Sequence, residues 1–346
     1  MKAALLESPG KMTVREIDTP AVRSGTILLR VRSCGICGTD MRFYNYGDRV
    51  KEFPAILGHE IAGEVAEVGV DVKGFAIGDR IALGNEIPCK KCAACSKGLE
   101  NVCENRLSIG STLPGGLSEY MLLTEDMVGR GPINNMPSKL SFDEAALAEP
   151  LGCIVNGLEF AQMKEGKDVL VIGTGPIGCM TINLCRILGA SKIVVVDRND
   201  KRLRMAEPFG ADHHVFSENN TFLEEVLALT GGKGYDVVMS ACSDVAAHEN
   251  AILAAAKGGF VNLFGGVAKG QSDKVSFPNN FMHYRQFAVG GSFSQTKEQH
   301  KKALAYLASG AIKTKKLITH NFPLDDVVTA IETLKNMDAL KVMINP

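Results

Sequence analysis

Cys89, Cys92, Cys95 and Cys103 crowd into one short stretch, IPCKKCAACSKGLENVC, with gaps of two, two and seven residues. Large apolar side chains are scarce there, so the segment cannot build a core of its own. Four thiolates at this spacing can wrap one ion tetrahedrally, and zinc is the usual occupant when all four ligands are sulfur. Lys90, Lys91 and Lys97 offset part of the negative charge of such a site. An iron–sulfur cluster and unliganded thiols are the alternatives. A closed tetrathiolate site holds structure, because it leaves no position for substrate.

A second set of ligand types is dispersed: Cys37 in CGICGTD, His59 and Glu60 in GHE, and Glu149 in AEP. A thiolate, an imidazole and carboxylates suit a zinc site that keeps room for water or an alcohol oxygen. Each residue alone reads as an ordinary core, surface or turn residue; their company points to metal. A third feature is GTGPIG, in which Gly173, Gly175 and Gly178 enclose Pro176 and Ile177. In such a loop the first glycine permits a tight turn, the second lets backbone approach a pyrophosphate, and the third lets helix and strand pack closely. The pyrophosphate then rests on the positive end of the following helix. Asp197 stands 19 residues after Gly178. A carboxylate there accepts hydrogen bonds from the adenosine ribose and repels a 2′-phosphate, which favours NAD over NADP. Arg198 and Arg202 are the counter-signal, since cations there can neutralise such a phosphate.

These groups need elements to hold them. A chain of 346 residues is long for one core and suits two, single domains most often running ~100 to 200 residues. The first half reads as short strands bounded by turns, at Thr26 to Arg32, Ile61 to Val68, Arg80 to Leu83 and Leu117 to Leu123. From about residue 152, apolar runs of strand length alternate with helical stretches, which is the pattern of a parallel α/β sheet. Strands are predicted at Lys167 to Ile172, Lys192 to Val196, His213 to Phe216, Tyr235 to Met239, Gly259 to Phe264 and Gln286 to Val289. Helices are predicted at Pro176 to Leu188, Asp200 to Phe209, Thr221 to Leu229 and Val245 to Ala256, then near Lys297 to Leu307 and Leu324 to Leu334, before a last strand at Lys341 to Ile344.

A formal charge of −1, 45% hydrophobic and 22% charged residues give no reason to expect nucleic acid or an anionic membrane as partner. The first residues carry Lys2, Glu7 and Lys11 and read as no signal peptide. No run approaches ~18 apolar residues, so no membrane span is predicted. The expectation is a cytoplasmic enzyme, in which a cysteine cluster serves metal rather than disulfides.

Taken in order, CGICGTD at 34–40, GHEIAGEVAEVG at 58–69, GDRI at 78–81, the four-cysteine lobe, AEP at 148–150 and GTGPIG at 173–178 resemble the zinc-containing medium-chain dehydrogenases over nearly the whole chain. Within them the chain is similar to the polyol and threonine dehydrogenase branch. The resemblance implies a β-rich GroES-like catalytic domain over 1–151 and 286–346, and a doubly wound Rossmann domain over 152–285, with the active site in the cleft between them. It implies two zinc ions per chain and NAD. Cys37 and His59 would ligate the catalytic zinc, Glu60 would be a further ligand, and Glu149 a ligand or the partner of zinc-bound water. Asp40 would accept the other ring N–H of His59, Cys34 would pack, Thr39 would start a proton relay, and Arg202 would line the adenine–ribose pocket.

The implied substrate is a small molecule: a polyol, sugar or sugar-alcohol phosphate oxidised at a secondary alcohol. Arg42, Asn156, Ser294 and Gln295 depart from the pattern of sorbitol dehydrogenases. Arg42, Tyr44 and Asn156 are read as polar pocket residues or as solvated side chains. His283, Tyr284 and Arg285 are read as serving the sheet edge or a subunit interface, with a phosphate site as the alternative. By resemblance the enzyme forms a homodimer or homotetramer. The rival activity is L-threonine 3-dehydrogenase, and the rival of another class is a non-catalytic nucleotide-sensing or structural protein on the same fold.

Overall fold

The β-branched and leucine-rich segments of the first half pair into antiparallel sheet. In the computed structural model, which describes residues 1–267 and 272–346, the chain separates into two units. One contains 1–153, 294–310 and 314–346; the other contains 154–293 and 311–313.

The first unit is built on a seven-stranded sheet in the order Ile133–Asn135, Arg80–Leu83, Glu60–Val68, Ile27–Gly35, Lys341–Asn345 and Ile318–Pro323, with Tyr120–Leu123 also pairing to Ile27–Gly35. A three-stranded sheet, including the hairpin Lys2–Ser8 and Lys11–Glu16, lies beside it in the sequence. Leu29, Val31, Ile61, Val65, Ile81 and Leu83 line a common core and are fully buried. Removing one such side chain down to alanine costs about 2–5 kcal/mol, enough to matter to any group the sheet carries. The register sets Gly35 opposite Glu60 on one side and opposite Met343 on the other. The C-terminal strand is thereby placed beside the residues of the GHE motif.

The second unit is a six-stranded, all-parallel sheet in the order His213–Phe216, Lys192–Asp197, Asp168–Ile172, Tyr235–Ser240, Ala255–Leu263, Ala288–Gly290. This is the 3-2-1-4-5-6 order of a doubly wound nucleotide-binding sheet. The central strands are continuous apolar runs because both faces are covered.

Three expectations need correction. The division falls at 293/294 rather than 286, because Ala288–Gly290 adds to the parallel sheet through Phe260, Val261 and Asn262; the first boundary falls at 153/154. Several helices are absent from the reading of the sequence, among them Gly38–Tyr46 and Ala148–Phe160. These two carry Thr39 and Glu149. Glu149–Pro150 therefore opens a helix instead of forming a turn; proline is tolerated in a first helical turn, where its missing N–H has no partner to lose.

Candidate metal centres and nucleotide site

The four-cysteine lobe consists of the strand pair Glu86–Ile87 and Leu107–Ser108, the short helix Ala93–Ser96 and a 3-10 turn Glu100–Val102. Its buried cluster is sulfur alone: Cys89, Cys95 and Cys103, with Cys92 packed against them. All four ligand atoms lie within 4.8 Å of one another. Backbone N–H groups already favour thiolate here. The Lys91 N–H leads in pulling Cys89 down to about 6, while burial pushes Cys95 up to about 12. Sulfurs gathered without aliphatic packing, some poised as thiolates, fit a tetrahedral ion.

The dispersed set also converges. Cys37, His59 and Glu60 present one ligand atom each, all within 4.8 Å of one another. Cys37 is the N-cap of the helix Gly38–Tyr46 and Asp40 its third residue. Asp40 Oδ2 accepts the Cys37 N–H at 2.9 Å and Oδ1 accepts the Gly58 N–H at 3.0 Å, while His59 Nδ1 lies 3.3 Å from Oδ1. Burial would raise the Asp40 pKa, but His59 and these N–H groups outweigh it and hold the carboxyl below its ordinary range. An ionised Asp40 only accepts, so His59 keeps its proton on Nδ1 and offers Nε2 outward.

Glu60 is fully buried at the start of its strand, and its partner is a residue that sequence reasoning missed. Lys341 Nζ lies 2.5 Å from each carboxylate oxygen, with hydrogen-bond geometry toward Oε1, and also donates to the Ile36 carbonyl at 3.1 Å. Lys341 is 2% exposed. The Glu60 carboxylate also presses on the strand beside it: a side chain at Gly35 would overlap Glu60 Oε2. Glu149, in the first turn of Ala148–Phe160, stands outside the group of three yet interacts electrostatically with His59 and Glu60. Burial raises its pKa to about 7. The Cys153 thiol, one helical turn on, faces its Oε1 at 3.6 Å. Cys153 is the second residue missed; its i,i+4 spacing from Glu149 is the signal that could have found it once a helix was assumed. Thr39, the second residue of its helix, is half-buried.

Of the other singled-out residues, Cys34 is buried against the Gly58 and Gly116 backbone, as expected of packing. Tyr44 is buried with its hydroxyl donating to the Gly10 carbonyl, which removes it as a pocket residue. Arg42 Nε pairs with Asp48 at 3.2 Å. Asn156 donates to the Phe293 carbonyl, and Gln295 is buried and donates to the Glu149 carbonyl. Arg285 donates to the Lys233 and Ala255 carbonyls at the sheet edge, beside the exposed Tyr284 and His283.

In the second unit the glycine loop follows the strand Asp168–Ile172. Gly173 has φ 94°, Gly175 is the N-cap of the helix Pro176–Ile187 with Pro176 as first residue, and a side chain at Gly178 would strike the Gly173 carbonyl. Asp197 ends the neighbouring strand as expected. Its Oδ2 accepts from Thr174 N–H at 2.6 Å and Thr174 Oγ1 at 2.8 Å, and its Oδ1 from Asn199 N–H at 2.8 Å. The carboxylate thus braces the loop. The Arg202 guanidinium reaches the same loop, its Nη1 2.9 Å from where a Gly175 side chain would begin.

Comparison with known proteins agrees. Residues 23–133 match the family described as alcohol dehydrogenase GroES-like domain, and residues 176–309 that described as zinc-binding dehydrogenase. The sorbitol dehydrogenase of Bacillus subtilis is 30% identical over 100% of this chain and 97% of its own. An L-threonine 3-dehydrogenase of Bacillus licheniformis is also 30% identical, over 99% and 98%. A solved zinc-binding dehydrogenase from Sinorhizobium meliloti, bound to NADP, superposes with a TM-score of 0.90 at 30% identity, covering 100% and 99% of the two chains. No helix among the described residues is long and apolar enough to cross a membrane. A GroES-like domain, a Rossmann domain, structural and catalytic zinc and a nicotinamide cofactor together define the enzyme class, and the chain belongs to the zinc-dependent medium-chain alcohol dehydrogenases, in their polyol and threonine dehydrogenase branch.

Proposed function

We propose that the chain oxidises a secondary hydroxyl of a polyol, sugar or sugar-alcohol phosphate with NAD, at the site made by Cys37, His59, Glu60 and Glu149, while Cys89, Cys92, Cys95 and Cys103 hold the structural zinc. The observation that carries this reading is the convergence of Cys37, His59 and Glu60 within 4.8 Å around an Asp40-braced imidazole. Zinc and NAD, when bound, supply a Lewis acid for the hydroxyl oxygen and an acceptor for the hydride. The chain's own residues do the rest. Asp40 orients His59 and starts the helix that presents Cys37. Lys341 neutralises Glu60, so that its carboxylate can remain buried. Thr39 takes the hydroxyl proton from the substrate, and Glu149, poised near neutrality by burial, is the nearby carboxyl that can share a proton or a ligand position.

Asp197 supports NAD over NADP, because a 2′-phosphate would meet a carboxylate already bound into the glycine loop. Arg202 serves the adenine–ribose side of that loop. Cysteines gathered for metal rather than disulfides support a reducing compartment such as the cytoplasm. A homodimer or homotetramer is the proposed assembly.

NAD reduction by the purified enzyme, measured with sorbitol, other polyols, their phosphates and L-threonine, tests this. Polyol-type substrates should be the fastest. Preference for L-threonine would move the chain to the rival activity, and no turnover with any would favour a nucleotide-sensing protein. Metal analysis should give about two zincs per chain; one zinc, or iron, contradicts the ligand assignment.

A further inference from the structure

Gln295 is among the most deeply buried polar side chains of the first unit, at 1% exposure. It immediately precedes Thr296, the N-cap of the helix Lys297–Ser309, whose capping box with Gln299 fixes the local backbone. Burying a primary amide is costly unless its donors and acceptor are matched. Here the Nε2 group donates to the backbone carbonyl of Glu149 at 2.7 Å, while Oε1 is buried without a hydrogen bond. The unmatched oxygen lies against Gly152. A methyl group on that α-carbon would overlap Gln295 Oε1 and come within 2.6 Å of its Cδ; the next neighbour, the His300 α-carbon, is at 3.3 Å.

We propose that Gln295 is a positioning residue for Glu149: its amide fastens the first turn of the helix Ala148–Phe160, and Gly152 is glycine in order to admit it. A helical carbonyl has two lone pairs, one used by the N–H four residues on. The Gln295 amide takes the other from outside the helix, fixing the height and rotation of the turn. Glu149 and Cys153 project from this turn one above the other, 3.6 Å apart. Among the described residues Glu149 has no ion pair to aim its carboxyl, and the Cys153 thiol that meets its Oε1 belongs to the same helix, so its aim follows the backbone that Gln295 holds. The inference rests on the reading of Glu149 given above.

The test uses the purified holoenzyme, its cobalt(II)-exchanged form, and the best substrate of the panel. Gln295→Met keeps the volume and removes the amide. Displacing a reacting group by about 1 Å costs up to about a hundredfold in rate, so kcat should fall tenfold or more. The KM for NAD should stay within about twofold, and the cobalt d–d bands should shift, which a loss of packing alone would not produce. Gly152→Ala should be similarly damaging by itself, because its methyl expels the amide. In the G152A/Q295A pair the obstruction is gone, so the double variant should be no worse than Q295A. Gln295→Met with unchanged kcat and cobalt spectrum would overturn the proposal, as would losses that multiply in the double variant. Should Gln295→Met melt too low to assay, the double-variant comparison decides alone. Glu149→Gln separates the two levels of argument. Loss of turnover there with normal turnover in Gln295→Met sinks only this inference; normal turnover in both sinks the reading beneath it as well.

Discussion

Replacing Lys341 by methionine keeps most of the unbranched side chain and removes the charge from the Glu60 pair. Both residues are sealed from solvent, at 2% and 0% exposure, and the ammonium lies 2.5 Å from the carboxylate. Removing one partner of such a pair costs about 3–5 kcal/mol, since it leaves an uncompensated buried charge. The Ile36 carbonyl also loses its donor. In a unit of this size each kcal/mol shifts the melting temperature by about 2–4 °C, so K341M should melt about 6–20 °C below the parent. Calorimetry at pH 7 on the parent, K341M, E60Q and E60Q/K341M measures this. The double variant should melt above K341M, because no unpaired charge remains in it. A K341M transition within about 2 °C of the parent, or a double variant as low as the sum of both losses, would refute the buried-pair reasoning.

Four other outcomes follow from the same geometry. Cys95→Ser should reduce zinc from about two ions per chain to about one and open the 89–103 lobe to limited proteolysis, leaving the Cys37 site loaded. His300 is fully buried, with the Asn134 amide donating to its Nδ1, and burial lowers its pKa from 6.5 to about 4. The unfolded chain therefore takes up the proton first. Stability is unaffected above pH 6.5 and falls by about 3 kcal/mol as the pH drops to 4, a loss that His300→Asn should shrink in melts across that range. Asp197→Ser should raise kcat/KM with NADP relative to NAD by tenfold or more, while loosening the loop at Thr174; an unchanged ratio would remove Asp197 from cofactor selection. Thr39→Val should preserve zinc content and NAD binding but cut kcat about a hundredfold, the usual worth of a positioned proton carrier.

The nucleotide unit was legible because its signals are local. The strands Asp168–Ile172 and Lys192–Asp197 have unbroken apolar centres, the glycine loop sits between strand and helix, and Asp197 ends the next strand. The four-cysteine lobe was legible for the same reason. In the catalytic unit, the motifs could be read but their supports could not. The helix Ala148–Phe160 carries Pro150, Gly152 and Gly157, all poor helix formers, and is buried on most sides, so no polar stripe marks a period. The helix Gly38–Tyr46 is short and opens with Gly38 and Thr39 in a motif otherwise read for its chemistry. Lys341 is silent in sequence, because a lysine in an apolar strand declares its partner only when the strand finds its place 281 residues away from Glu60. Gln295 was noticed as a departure from a pattern, and its inward turn depends on a glycine 143 positions earlier.

The separation between Glu60 and Lys341 sets an order of assembly. The lobe's four sulfurs lie within a span of 15 residues, so they can meet as soon as that span is synthesised. Cys37 is likewise brought near Asp40 by a local helix start. The carboxylate of Glu60, however, has no ammonium partner until the strand Lys341–Asn345 inserts beside Ile27–Gly35, and contacts of such range form late. A nascent chain should thus gather its four-cysteine lobe long before Lys341 is made, and the buried carboxylate of the catalytic site gains its ammonium partner only after that strand exists.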